Sequence, residues 1–104
     1  MAVDAIGNVY IADTINHRVL IELLSQGNYT QSVAVSGLGL PFGVAVDANG
    51  NIYIADYLNN KVLKETLSEG RFTESIVSGL HLPVGVAVEG SGSIYIAEEY
   101  SNNV

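Results

Sequence analysis

Apolar residues along this chain come in short runs that fill consecutive positions. Val44-Ala45-Val46 and Ile52-Tyr53-Ile54-Ala55 are two such runs, with Asn49-Gly50 between them. Strict alternation would mark a strand wet on one face, whereas apolar residues at every position mark a strand covered on both. Asn-Gly between two runs signals a hairpin, because both residues tolerate positive φ. The pattern predicts a first strand over 43–47, a second over 51–56, a third over 61–66 and a fourth over 72–77, with Ser68-Glu69-Gly70 turning the third into the fourth. The later pair is more polar, carrying Lys64, Glu65, Thr73, Glu74 and Ser75. Glycine and asparagine interrupt the chain too often for helices, and β-branched residues fill the runs between them.

The same unit is written nearly three times. Ala2-Val3-Asp4 returns as Ala45-Val46-Asp47 and Ala87-Val88-Glu89, and Val9–Asp13 returns as Ile52–Asp56 and Ile94–Glu98, at steps of 43 and 42 residues. Gly37–Val44 matches Gly79–Val86, and Ser25–Ser32 matches Ser68–Ser75. Strands covered on both faces usually belong to parallel sheets, yet connections this short join only antiparallel neighbours. Small antiparallel sheets stacked face to face satisfy both conditions. A four-stranded unit of about 40 residues that stacks on its neighbours is a propeller blade. The expected fold is all-β, in β-propeller blades of four antiparallel strands: a first blade over 1–43, a second over 44–85 and a partial third over 86–104.

Pro41–Val62, PFGVAVDANGNIYIADYLNNKV, resembles the NHL repeat, whose usual form is P-x-G-[VI]-A-V-D, a short turn, G-N-[IV]-Y-[VI]-[AT]-D, then N-N-[RK]-[VI]. The resemblance covers two units and part of a third. It implies a blade whose first strand lines the central channel of a larger, typically six-bladed ring. Two readings follow. In one, the chain is a non-enzymatic interaction or scaffold module, incomplete alone and closed or stacked by self-association as a homo-oligomer. Such assembly would also cover the bare apolar edge expected at 94–97. In the other, it is a piece of a six-bladed enzyme or sensor, lyase- or lactonase-like, whose active site lies in other blades.

Charge narrows the partners. With 11 acidic and 4 basic side chains the net charge is −7, which opposes binding to phosphate backbones. RNA binding, which some NHL propellers achieve through a basic face, therefore fits poorly. The chain has no cysteine, so it forms neither disulfides nor thiolate metal sites. No apolar run reaches the roughly 18 residues of a transmembrane helix, so no membrane partner is expected. Either side of a bacterial membrane suits this composition.

Candidate chemistry begins with an acid that ends each second strand. Asp13 is followed five residues later by Arg18, Asp56 by Lys61, and Glu98 by Asn103. Acid and base change together, which suggests that they act as a unit. An ionised Asp at such a turn accepts loop N–H groups and meets the base opposite. Because the motif is repeated, a structural turn clamp is expected rather than a catalytic carboxylate. A second acid, at Asp4, Asp47 and Glu89, is expected to accept hydrogen bonds from the tight turn that follows it. Calcium at converging copies of this acid is the weaker alternative, since that ion wants six to eight oxygens. His17 and His81 occupy unequal places in the unit and lack a third ligand, so no zinc site is expected. No metal or cofactor is implied, and no G-x-S-x-G nucleophile motif is present. The loops before each first strand and after each second strand should emerge on one side. They carry His17, Tyr57, Leu58, Asn59, Asn60, His81 and Tyr100, and they vary between copies while the strands hardly do. Such a mixture suits contact with a protein or peptide. The plainer alternative is that Tyr57 and Leu58 fold over the blade edge.

Overall fold

Three antiparallel sheets lie one after another along the chain. The computed structural model describes residues 1–79, 83–89 and 93–98. Strands β1 (Ala2–Val3), β2 (Val9–Asp13), β3 (Arg18–Ser25) and β4 (Asn28–Val35) form the first sheet in sequence order. Strands β5 (Pro41–Val46), β6 (Ile52–Asp56), β7 (Lys61–Ser68) and β8 (Arg71–Gly79) form the second, and β9 (Pro83–Val88) pairs with β10 (Ile94–Glu98) in the third. Among the described residues there is no helix, and so none long and apolar enough to cross a membrane.

Turn chemistry accounts for strands longer than the sequence pattern predicts. The β3–β4 and β7–β8 turns place two consecutive residues at positive φ, Gln26 and Gly27 at 53° and 81°, Glu69 and Gly70 at 53° and 79°. Two left-handed residues make a type I′ turn, whose twist matches that of the flanking strands. The β7–β8 ladder therefore runs to its tip, where Ser68 pairs with Arg71. At the other end, β5 starts two residues earlier than expected. Pro41 already pairs with Asp56, across an irregularity that leaves Phe42 out of register.

Alternation gives each sheet two faces. In the second sheet Ile52, Ile54, Leu63 and Glu65 share one face, while Tyr53, Ala55, Val62 and Lys64 share the other. The Ile52 face meets Tyr10, Val19 and Ile21 of the first sheet, with Val35, Leu38 and Val44 completing the cluster. On the opposite side β9 packs against β5 and β6. The apolar runs of the second sheet are thus covered on both sides, as their pattern requires. Each large side chain so buried contributes about 1.5–3 kcal/mol. The first strands of adjacent sheets approach backbone to backbone: a Cβ on Gly43 would lie 2.9 Å from Gly85 Cα.

The two outermost faces differ. Val9, Ile11, Leu20 and Glu22 share the face of the first sheet that points away from the second. Tyr95, 57% exposed, and the exposed Ala97 share a face of the third sheet. These are the repeat equivalents of the two faces that meet inside the stack. The molecule is an open run of propeller-type blades.

Candidate interaction face and its supporting turns

Loops of neighbouring sheets are laced together on one side of the stack. His17, at φ 60°, occupies the same left-handed position as its repeat equivalent Asn60, at φ 56°. Asn and His are among the side chains that tolerate this region best. The His17 carbonyl accepts from Leu38 N at 3.0 Å, and its Nδ1 lies 2.5 Å from Gly39 O. Thr14 Oγ1 donates to Pro41 O at 2.7 Å, and Tyr57 N donates to Leu40 O at 2.9 Å. The segment 36–40 is therefore held from both sheets.

On this support the Phe42 and Tyr57 rings stack, 4.6 Å between centroids and 28° between planes. Phe42 is 42% exposed, Leu58 next to Tyr57 is exposed, and so is Ile15 in the β2–β3 loop of the first sheet. Asn59 and Asn60 are exposed as well. Phe42 was not among the expected face residues; it falls between the loop residues expected there and the strand expected over 43–47. The bulge at that point re-aims it. Leu38, in a loop expected to be exposed, instead turns into the core. His81 and Tyr100 lie outside the described residues.

The acids that end the second strands do not all act alike. Asp13 matches the expected clamp: its Oδ2 lies 2.9 Å from Arg18 Nε, and Asn16 Nδ2 donates to both of its oxygens. The Arg18 bond, then that of Asn16, holds its carboxyl below the usual range. Asp56 requires a correction. Lys61 stands directly opposite it in register, yet no ion pair joins them. Asp56 is completely buried, and its oxygens accept from Gly39 N at 3.1 Å, Leu40 N at 3.0 Å and Asn59 Nδ2 at 2.9 Å. The linker into β5 passes over this carboxylate, and with Asn59 it fills three of its roughly four acceptor sites. Asp56 is consequently an anchor for the linker and not half of an ion pair. Glu98, which is exposed, pairs in register with Pro83.

The second set of acids closes the opposite ends of the hairpins. Asp47 Oδ1 accepts from Asn49 N and Asn51 N, and Oδ2 accepts from Asn51 Nδ2 and the Tyr53 hydroxyl. Asp4 does the same with Ile6, Asn8 and Tyr10. Burial raises both carboxyl pKa values, but the combined bonds, led by those from Asn8 and Asn51, leave them below the usual value. Burial, then the bond and charge of Asp4, pushes the Tyr10 phenol up to about 12. Asn8 and Asn51 reach further, each accepting from the third strand at Leu24 N and Leu67 N. A groove of about 540 Å³ runs between these turns, walled by Ile21, Leu23, Leu67 and Phe72. With four donors on each carboxylate, no lone pair is left to ligate a cation. Among the described residues no three His, Cys, Asp or Glu side chains gather in a metal-holding group.

Comparison with protein families matches residues 38–64 to the NHL repeat. That span holds β5, β6 and the start of β7, together with the Gly39–Asp56 anchor and the Phe42–Tyr57 stack. No curated protein matches the chain.

Proposed function

The chain carries an NHL repeat, and from that premise we propose a non-enzymatic β-propeller interaction module. It would bind a protein or peptide on its loop face and assemble with further copies of itself. The observation that carries this reading is the Phe42–Tyr57 stack. Aromatic anchors dominate binding energy when they are held rigidly and stand accessible. Both rings rise from backbone fixed by the bonds at Leu40 and Pro41, so little ordering cost remains.

The outer faces support the self-assembly part of this reading. Inside the chain, the Tyr10 face of the first sheet packs on the Ile52, Ile54 and Leu63 face of the second. The Tyr95 face of the third sheet repeats the former, and the Val9, Ile11 and Leu20 face of the first repeats the latter. A second copy placed head to tail would extend the stack with the same kinds of side chain. Such a heterologous contact closes into a ring when the rotation permits.

Two measurements test the proposal. Light scattering of the 104-residue chain should give the mass of two or more whole protomers; a folded monomer at micromolar concentration would remove the assembly. Selection of a displayed peptide library on the same chain should yield ligands that lose binding on Phe42→Ala or Tyr57→Ala. Ligands indifferent to both substitutions would place binding elsewhere.

A further inference from the structure

Glu65, on β7, is 3% exposed, and its Oε2 is buried without a hydrogen-bond partner. That oxygen loses its hydration and gains no hydrogen bond in return. The residues around it offer no cation. It stands opposite Ile52 on β6 and opposite Glu74 on β8. Along the same face lie Leu63 and Leu67 on β7, and Phe72 and Ile76 on β8. The nearby bases Lys64 and Arg71 belong to the other face, where Lys64 Nζ sits 5.6 Å from the Tyr53 ring centroid.

The first-sheet face packed opposite presents Tyr10, Ala12, Val19, Ile21, Leu23, Thr30 and Ser32 by register. Its titratable group, the Tyr10 phenol, is engaged by Asp4, while Asp47 at the β5–β6 turn is filled by its own turn. Glu65 therefore faces one ionisable neighbour within its own sheet, and that neighbour is another acid. Glu74 is itself exposed, so of these two adjacent carboxyl groups the buried Glu65 is the one whose ionisation is opposed. Burial first, then the hydrogen bond and charge of Glu74, pushes the Glu65 carboxyl up to about 7.

We propose that Glu65 and Glu74 form a proton-sharing pair, and that release of this proton loosens the packing of the second sheet on the first. When protonated, Glu65 can donate to Glu74 and remain buried at low cost. Once ionised, it must draw in water or swing outward, and its neighbours Ile52 and Leu63 belong to the intersheet cluster. The device is specific to the second sheet, since the equivalent pair in the first is Glu22 with Gln31. A raised folded-state pKa stabilises fully below the ordinary glutamate value, and that stability is lost as pH rises through about 7.

Thermal unfolding of the full chain between pH 5 and 8.5 tests this. The wild-type midpoint should fall by about 5–15 °C as pH rises. Glu65→Gln should flatten that fall, and Glu74→Gln should shift it to lower pH or shrink it. A wild-type midpoint that does not change, or an undiminished fall in Glu65→Gln, would overturn the proposal. Carbon-13 titration of the wild-type Glu65 carboxyl keeps the test open should the variants misfold. A midpoint near 7 supports the pair, and an ordinary glutamate value refutes it. Calcium that restores stability at pH 8.5 as fully as acid does would also refute it, by making the pair a cation site.

Discussion

Tyr53 donates its hydroxyl to Asp47 at 3.0 Å, joining a residue of one sheet face to the acid that closes the β5–β6 turn. Tyr10 and Asp4 repeat the link at 2.9 Å, and Tyr95 reaches Glu89 at 3.0 Å in the third sheet. Tyr10 also lies in the intersheet cluster, so turn geometry and blade stacking share a side chain. The repeat thereby passes from one blade to the next a turn already keyed to the packing surface.

Removing the hub of that link should cost more than removing a spoke. Asp47→Ala leaves four donors without their acceptor and should destabilise by about 2–4 kcal/mol, against about 1 kcal/mol for Tyr53→Phe. Urea unfolding of both single variants and the double variant measures this. The double should lose less than the sum of the singles, because the two changes share one bond.

The same acids set opposite ends of the pH profile. Asp4 and Asp47 have lowered values, so their stabilisation is present above the ordinary aspartate value and is lost as pH falls through the folded one. Tyr10 runs the other way. Its contribution is intact below the ordinary tyrosine value and disappears as pH climbs through about 12. Urea midpoints should therefore drop on strong acidification and again in strong alkali, with Asp47→Ala flattening the acid limb. Absorbance titration should find Tyr10 ionising well above the ordinary tyrosine value.

Asp56 and Asp13 occupy equivalent places but should respond differently to truncation. Asp56→Ala orphans two backbone N–H groups at Gly39 and Leu40 and should cost about 2–4 kcal/mol. Asp13→Ala removes a half-exposed ion pair, of a kind that contributes little. Gly39→Ala should mimic the Asp56 defect, since its Cβ would fall 2.6 Å from Asp56 Oδ1. Equal losses in Asp13→Ala and Asp56→Ala would show that the linker does not depend on the buried carboxylate.

These contrasts mark what can be read from the sequence. Strand order and stacking were legible because apolar runs such as Ile52–Ala55 demand cover on both faces, and the repeat supplies that cover. The Asp13 clamp followed from the five-residue spacing, which does place acid and base opposite each other. The same spacing misled at Asp56, because it carries no information on where the linker crosses. Phe42 was hidden by a bulge, and Glu65 read as a wet outer-strand residue although the neighbouring sheet buries it. The Asp56 and Glu65 misses concern contact between units, whereas the Phe42 miss is a bulge inside one.

Contact between units also gives the sharpest substitution test. A Cβ on Gly43 would stand 2.9 Å from Gly85 Cα, 3.1 Å from Val84 O and 3.2 Å from Val86 N. All three are backbone atoms that cannot rotate aside, so β5 and β9 would have to separate. On Gly85 the added Cβ would meet Ala97 Cβ at 3.6 Å, an ordinary van der Waals contact. Gly43→Ala should therefore destabilise by about 1–3 kcal/mol and speed amide exchange along β9, while Gly85→Ala should stay within about 1 kcal/mol of wild type. The two glycines are repeat equivalents with the same mutation applied. Intrinsic backbone effects largely cancel between them, and the difference reports how closely the first strands of adjacent sheets approach. Identical behaviour of the two variants would contradict that approach.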